Sequence, residues 1–298
     1  MENKVFIATS SFGKIDKNIL KTLRKKFTVK LNPLGRKLNS SELIVNAQDC
    51  THIIAGTEIY DKQVIEKLKN LKFIFRLGSG VDNIDIDFLK KKKIKILKST
   101  VTLEKAVGEL TLGLVLNLLR KILNQDKNIR KNIWKKEMGN LLFGKTLGII
   151  GYGKIGKYVE KIFKPLGAKI LINDIRKIDT KNKVSLVKII KKSDILTIHS
   201  NYTKKNYKLI NKKYLRLFKK DSLIINTSRP EILDYDYLFN LLKNKKIKGA
   251  ALDVFEKEPY YGKFVKLDNV ILTPHIGSYA SEIRNEMEFE AVKKLIKR

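Results

Sequence analysis

Short strand-like apolar runs alternate with helix-like stretches along the whole 298-residue chain, and this alternation constrains the fold more than any other feature. Strands joined by helices pair in parallel and bury both faces, so the pattern predicts an α/β protein with parallel sheets. A first block predicts strands at 4–9, 27–31, 52–55, 72–77 and 94–97, with helices over 14–26 and 61–70. The four lysines at 90–93 read as the solvated end of a further helix. A long helix over 103–123 has apolar residues too dense for a simple surface helix. A lysine-rich stretch with the single tryptophan, Trp134, follows it. A second block predicts strands at 146–150, 168–173, 194–199, 222–226, 249–254 and 269–273, and 281–297 reads as one terminal amphipathic helix.

Composition removes several classes. No apolar run reaches the roughly 18–20 residues needed to cross a bilayer. One cysteine, Cys50, rules out an internal disulfide framework and fits a reducing compartment, so the expected location is the cytoplasm. The formal charge of +33 suggests a nucleic-acid binder. Yet only ten of the 63 basic residues are arginine, and the lysines are spread along the whole chain. Recognition surfaces favour arginine and interleaved aromatics. Abundant Lys, Asn and Ile are read instead as a global residue bias, although such a field would attract acidic substrates.

The strongest local motif is GKTLGIIGYGKIGKYVEKIF, in which Gly151, Gly153 and Gly156 form G-x-G-x-x-G after a strand and at the start of a helix. The first glycine permits a tight turn, the second lets backbone approach a pyrophosphate, and the third lets helix and strand pack closely. The helix N-terminus offers free N–H groups to the phosphates. Asp174 ends the next predicted strand, about where an acid accepts hydrogen bonds from the adenosine ribose. Its charge would repel a 2′-phosphate, which favours NAD over NADP, although Arg176 and Lys177 follow closely.

Three later runs fall at predicted strand ends: SLIINTSRP with Arg229, GAALDVFEKEP with Asp253 and Glu258, and VILTPHIGS with His275. Oxidising a 2-hydroxy acid needs a base for the hydroxyl proton and a cation near the carboxylate and carbonyl oxygens. Histidine suits the first task, a carboxylate partner fixes its ring, and arginine suits the second. Taken singly, each residue has a structural alternative: an ion-pair partner, a loop acid, a histidine after proline. His52 and His199 lie at strand positions and are not nominated as bases.

Together these runs resemble the D-isomer-specific 2-hydroxyacid dehydrogenases, in the phosphoglycerate dehydrogenase-like branch. FRLGSGVDNIDI, KAVGELTLGLVLNLLR, FGKTLGIIGYGKIG, INTSRP, GAALDVFEKEP and LTPHIGS occur in family order and spacing over nearly the whole chain. The resemblance implies two doubly wound, Rossmann-like domains, with an NAD-binding domain at 100–274 inserted into a substrate domain at 1–99 and 275–298. It implies that Arg229 binds and polarises substrate, that Glu258 tunes His275, and that His275 is the acid/base. Lys154 and Ile155 would meet the pyrophosphate through backbone, and Asp174 the ribose. Asp253 would hold the nicotinamide carboxamide, and Ser200, Thr227, Ser228 and Ser278 would line the cofactor. Ser79 and Gly80 would meet substrate and cofactor through backbone N–H groups. No metal is implied. The helix at 103–123 and the arm around Trp134 resemble the family's dimer-forming region, so a homodimer is expected.

Three departures from the family pattern stand out. His199-Ser200-Asn201 replaces the usual His-x-Pro, and Pro230 replaces the glycine after the arginine. Ala55-Gly56-Thr57 lacks the arginine that phosphoglycerate-specific members carry, which counts against that substrate. The expected activity is NAD-dependent hydride transfer between nicotinamide and a small D-2-hydroxy or 2-keto acid, of the phosphoglycerate, glycerate/hydroxypyruvate or glyoxylate type. The alternative is an NAD(H)-sensing regulatory protein on the same scaffold; intact Arg229, Glu258 and His275 speak against a purely regulatory role.

Overall fold

The computed structural model describes residues 3–297. The chain divides into two units: the first comprises Met1–Leu103 and Ser278–Arg298, the second Glu104–Gly277. The second is therefore inserted in sequence into the first, and His275 falls within it.

The first unit runs β1 (Lys4–Ile7), α1 (Asn18–Arg24), β2 (Thr28–Leu31), α2 (Ser40–Ala47), β3 (His52–Ala55), α3 (Lys62–Lys67), β4 (Phe73–Arg76), α4 (Ile86–Lys91) and β5 (Lys95–Lys98). Its five strands are all parallel, in the order β2-β1-β3-β4-β5. Successive residues of β1 serve opposite faces. Val5 and Ile7 pack with Ile19 and Leu23 of α1, whereas Phe6 packs with Leu43, Val64 and Leu89 of α2, α3 and α4. Burial on both faces explains why β1, β3 and β4 read as unbroken apolar runs. The helix α2 was not expected from the sequence. It is started by a capping box in which Asn39 and Glu42 satisfy each other's backbone N–H groups.

The second unit opens with α5 (Glu104–Arg120) and α6 (Ile122–Arg130). The single helix expected over 103–123 is interrupted because Lys121 takes a left-handed conformation, φ 55°. There follow β6 (Thr146–Ile150), α7 (Lys154–Phe163), β7 (Lys169–Asn173), α8 (Leu186–Lys192), β8 (Ile195–Ile198), α9 (Lys212–Leu215), β9 (Leu223–Asn226), α10 (Tyr235–Lys243), β10 (Gly249–Leu252) and β11 (Val270–Leu272). The chain then returns to the first unit as α11 (Ser281–Ile296), whose Met287, Ala291 and Leu295 join the α1 face of that sheet.

The second sheet is also all parallel, in the order β11-β10-β9-β8-β6-β7. A parallel bridge between Ile172 and Lys183 adds one more pairing outside β7. Leu114 and Val115 of α5 and Val159 and Phe163 of α7 cover one face; α8, α9 and α10 cover the other with Ile189, Leu215 and Leu238. The winding direction reverses between β6 and β8, so the loops leaving those two strands diverge around a crevice at the strands' carboxyl ends. Among the described residues, no helix is long and apolar enough to cross a membrane, and no group of three His, Cys, Asp or Glu side chains could hold a metal ion.

Candidate active site

The glycine run sits at that reversal point. Gly151 ends β6 with φ +88°, a conformation that glycine adopts without strain. Its N–H donates to the Asn173 carbonyl at 2.9 Å. A Cβ here would strike the backbone N of Ser200 in the loop after β8. A Cβ on Gly156 would strike the carbonyl oxygen of Gly151, so α7 lies against the turn as only glycine allows. Gly153 is different: nothing lies within 4 Å of where its Cβ would be. It is the N-cap of α7 and supplies no side-chain cap, so the first N–H groups of Lys154, Ile155 and Gly156 face outward without a side-chain acceptor. A narrow turn with one open face and an uncapped helix start fits a diphosphate.

Two neighbouring features bear on the same group. The Ser200 hydroxyl is buried without a hydrogen-bond partner beside the Gly151 turn. At the end of β7, Asp174 accepts from the Tyr152 N–H at 2.7 Å, which ties the second βα turn to the first. It also accepts three bonds from Arg176: the backbone N–H at 2.8 Å, Nε at 2.9 Å and Nη2 at 2.8 Å. The guanidinium beside it holds the Asp174 carboxyl well below the usual carboxylate range. Arg176 reaches on to the Tyr152 carbonyl at 2.9 Å.

His199 follows β8 and is enclosed. Its Nε2 pairs with Thr197 Oγ1 at 2.5 Å, and its Nδ1 lies 3.5 Å from Thr227 Oγ1. Burial pushes the imidazole down to about 3, so it stays neutral and structural at ordinary pH. After β9, Asn226 organises the next loop: its Oδ1 accepts from Ser228 N at 3.0 Å and its Nδ2 donates to the Arg229 carbonyl at 3.0 Å. Arg229 has extended backbone, φ −141° and ψ 140°. This is the region favoured before proline, so Pro230 suits the extended form where the family's glycine would leave it free. The Arg229 guanidinium is half-buried and donates from Nη1 to the Ser228 carbonyl at 2.8 Å.

Glu258 and His275 meet directly. Both Glu258 oxygens lie at hydrogen-bond distance from His275 Nδ1, at 3.1 and 3.2 Å. A proton on Nδ1 donated to this carboxylate leaves Nε2 to exchange a proton with another molecule. Glu258 is itself steadied by the Phe255 N–H at 3.2 Å. His275 has φ +55°, unusual for a residue with a side chain. Asp253, fully buried at the end of β10, holds the loop in that shape. It accepts from Thr273 Oγ1 at 2.6 Å, Ile276 N at 2.8 Å and Gly277 N at 2.9 Å. Burial pushes the Asp253 carboxyl up.

The residues nominated in the second unit therefore gather at one edge of its sheet, on the loops after β6 to β11. Arg229 follows β9, Asp253 follows β10 and His275 follows β11, on three adjacent strands. Ser79, Gly80 and Ser278 belong to the first unit; Ser79 is exposed and follows β4. Sequence reasoning missed Asn226 and Thr273 as supports of Arg229 and of the His275 loop. A buried Asn at a strand end was the only hint; nothing in the sequence announces Thr273.

The model of the D-isomer-specific 2-hydroxyacid dehydrogenase NAD-binding domain matches residues 112–277, which carry the glycine turn, Asp174, Arg229, Asp253, Glu258 and His275. The chain belongs to this family. It is an NAD-dependent D-2-hydroxyacid dehydrogenase, and the sequence resemblance is borne out. A glyoxylate reductase of Thermococcus litoralis is 34% identical over 99% of this chain and 93% of its own. A hydroxypyruvate reductase of Thermotoga maritima is 34% identical over 95% of each. Among solved structures, the D-lactate dehydrogenase of Aquifex aeolicus, complexed with NAD and lactic acid, superposes with a TM-score of 0.84 at 26% identity. That match covers 98% of this chain and 94% of the other.

Proposed function

We propose that this dehydrogenase interconverts a small 2-keto acid of the glyoxylate or hydroxypyruvate type and its D-2-hydroxy acid, with His275 as acid/base. The observation that carries this reading is the Glu258–His275 pair at the sheet edge that also bears the glycine turn. Bound nicotinamide supplies the hydride for reduction and accepts it for oxidation. The chain's own groups do the rest. His275 Nε2 holds the proton that goes to the keto oxygen, while Glu258 keeps the ring oriented through Nδ1. The Arg229 guanidinium binds the carboxylate and draws electron density from the adjacent carbonyl. Ser79 and Gly80 are assigned to the substrate through backbone N–H groups. Lys154, Ile155, Ser200, Thr227, Ser228 and Ser278 are assigned to the cofactor, Asp174 to its ribose and Asp253 to its carboxamide. The names of the two relatives and the absence of an arginine in Ala55-Gly56-Thr57 favour an unphosphorylated substrate.

A homodimer is part of the proposal, supported by the cluster of exposed apolar side chains on and after α6: Ile129, Trp134, Met138, Leu141 and Phe143. A cytoplasmic location is supported by the free, buried Cys50. The test is His275→Gln assayed with NADH and a panel of 2-keto acids. Turnover should fall by about 10²-fold or more while NADH binding stays within about twofold. Turnover that survives this change removes the acid/base assignment.

A further inference from the structure

The bonding around Asp174 leaves its carboxylate saturated. Two carboxylate oxygens offer roughly four acceptor positions. Tyr152 N, Arg176 N, Arg176 Nε and Arg176 Nη2 supply four donors. The Asp174 side chain is accordingly only 6% exposed, whereas that of Arg176 is 60% exposed. The two backbone donors are fixed by the fold. The two guanidinium donors are held by a long, solvent-facing side chain, and turning it outward gives up these bonds and the one from Nη2 to the Tyr152 carbonyl while leaving both backbone donors to Asp174 in place. A ribose diol that donates hydrogen bonds to Asp174 must therefore displace the Arg176 fork.

Displacement changes what the site can read. While paired, Asp174 and Arg176 are together neutral, so the repulsion that an isolated aspartate exerts on a 2′-phosphate is cancelled. Once turned outward, the guanidinium remains one side chain away from the ribose edge. It is a planar fork suited to a phosphate, with Lys177 next to it in the chain. Lys183 donates from Nζ to the Arg176 carbonyl at 2.6 Å, which places a further cation beside the same turn.

We propose that Arg176 is a displaceable occupant of the adenosine-ribose subsite, and that through it the same site takes NADP(H) as well as NAD(H). The proposal rests on the reading of Asp174 as the ribose acceptor. Arg176 competes with the NAD ribose for that carboxylate and serves as partner for the phosphate of NADP. It sets cofactor preference in both directions at once.

Isothermal titration of the parent, Arg176→Ala and Arg176→Lys with NADH and with NADPH tests this without any turnover. The parent should bind both, with dissociation constants within about tenfold of each other. Arg176→Ala should tighten NADH by about three- to tenfold, since the competing fork is gone, and weaken NADPH by about tenfold or more. Arg176→Lys loses the fork but keeps the charge, so NADH should tighten while NADPH binding stays within about threefold of the parent. No NADPH binding by the parent overturns the proposal. So does a ratio of the two constants in Arg176→Ala that stays within about threefold of the parent ratio, and in both cases NADH binding leaves the cofactor reading standing. A parent that binds neither nucleotide removes that reading and the proposal with it.

Discussion

Replacing Asp253 with alanine tests whether one buried carboxylate shapes the catalytic loop. The change strands the N–H of Gly277, which is buried, and that of Ile276, which is half-buried and within reach of water. Losing the acceptor should cost about 1–3 kcal/mol at the buried N–H and about 0.5–1.5 kcal/mol at the other. The Thr273 hydroxyl can rotate to a new partner and adds little. Against this, the carboxylate no longer has to be held in a poorly solvated place, the same burial that pushes its pKa up. That relief returns on the order of 1 kcal/mol. The net expectation is a loss of about 0.5–3.5 kcal/mol, centred near 2, read as a lower urea midpoint at unchanged slope. The loop should feel it more than the fold does. A left-handed backbone at a residue with a side chain costs roughly 1–2 kcal/mol, and His275 keeps its φ of +55° because its own N–H bonds to the Thr273 carbonyl and Asp253 ties the two residues after it. Without those ties the ring should drift from Glu258, and kcat should fall by about tenfold or more at saturating NADH. A variant with stability within about 0.5 kcal/mol of the parent and unchanged kcat would refute the reasoning.

Two further outcomes follow from the structure. His199 has a native pKa of about 3, below its usual value. The unfolded chain thus takes up a proton between pH 6.5 and about 3 that the native state refuses, and this residue alone should remove about 1.4 kcal/mol of stability per pH unit as pH falls through that window. His199→Asn should lose stability less steeply below pH 6.5; parallel curves for parent and variant would rule the enclosed imidazole out as the cause. The parent should sediment at about twice the 34.3 kDa chain mass, and Trp134→Ser with Met138→Ser should shift it toward one chain mass. A parent that is already a single chain at micromolar concentration defeats the homodimer.

Much of this architecture was legible because strands buried on both faces need apolar side chains at consecutive positions. β3 and β6 match their expected limits, and β8 is trimmed only at its ends, where Asp194 and His199 turn into loops. The helix over 103–123 failed at one residue. Lysine carries no marker for a left-handed turn, and the bonds at the break, from Leu123 N–H to Asn117 Oδ1 and from Gln125 Nε2 to the Arg120 carbonyl, are side-chain choices that residue type alone does not announce. α2 was missed because SSELIVNA is short and half polar, although Asn39 and Glu42 stand at capping-box spacing. In the site, the glycines and Asp174 were readable because strand, turn and helix fix their spacing. The saturation of Asp174 by Arg176 was not, since a side chain's choice of partner depends on where the next loop turns. The bonds from Asp253 to Ile276 and Gly277 were equally hidden, because they join loops after two adjacent strands more than twenty residues apart.

The turn at Gly151 touches the loop after β8 through backbone atoms, and Asp253 and Asn226 grip their loops largely through main-chain groups. Those attachments make no use of what the outer helix faces carry. The exterior of such a protein can therefore drift toward any soluble composition, including one as lysine-laden as this, while the chemistry at the strand tips is inherited unchanged.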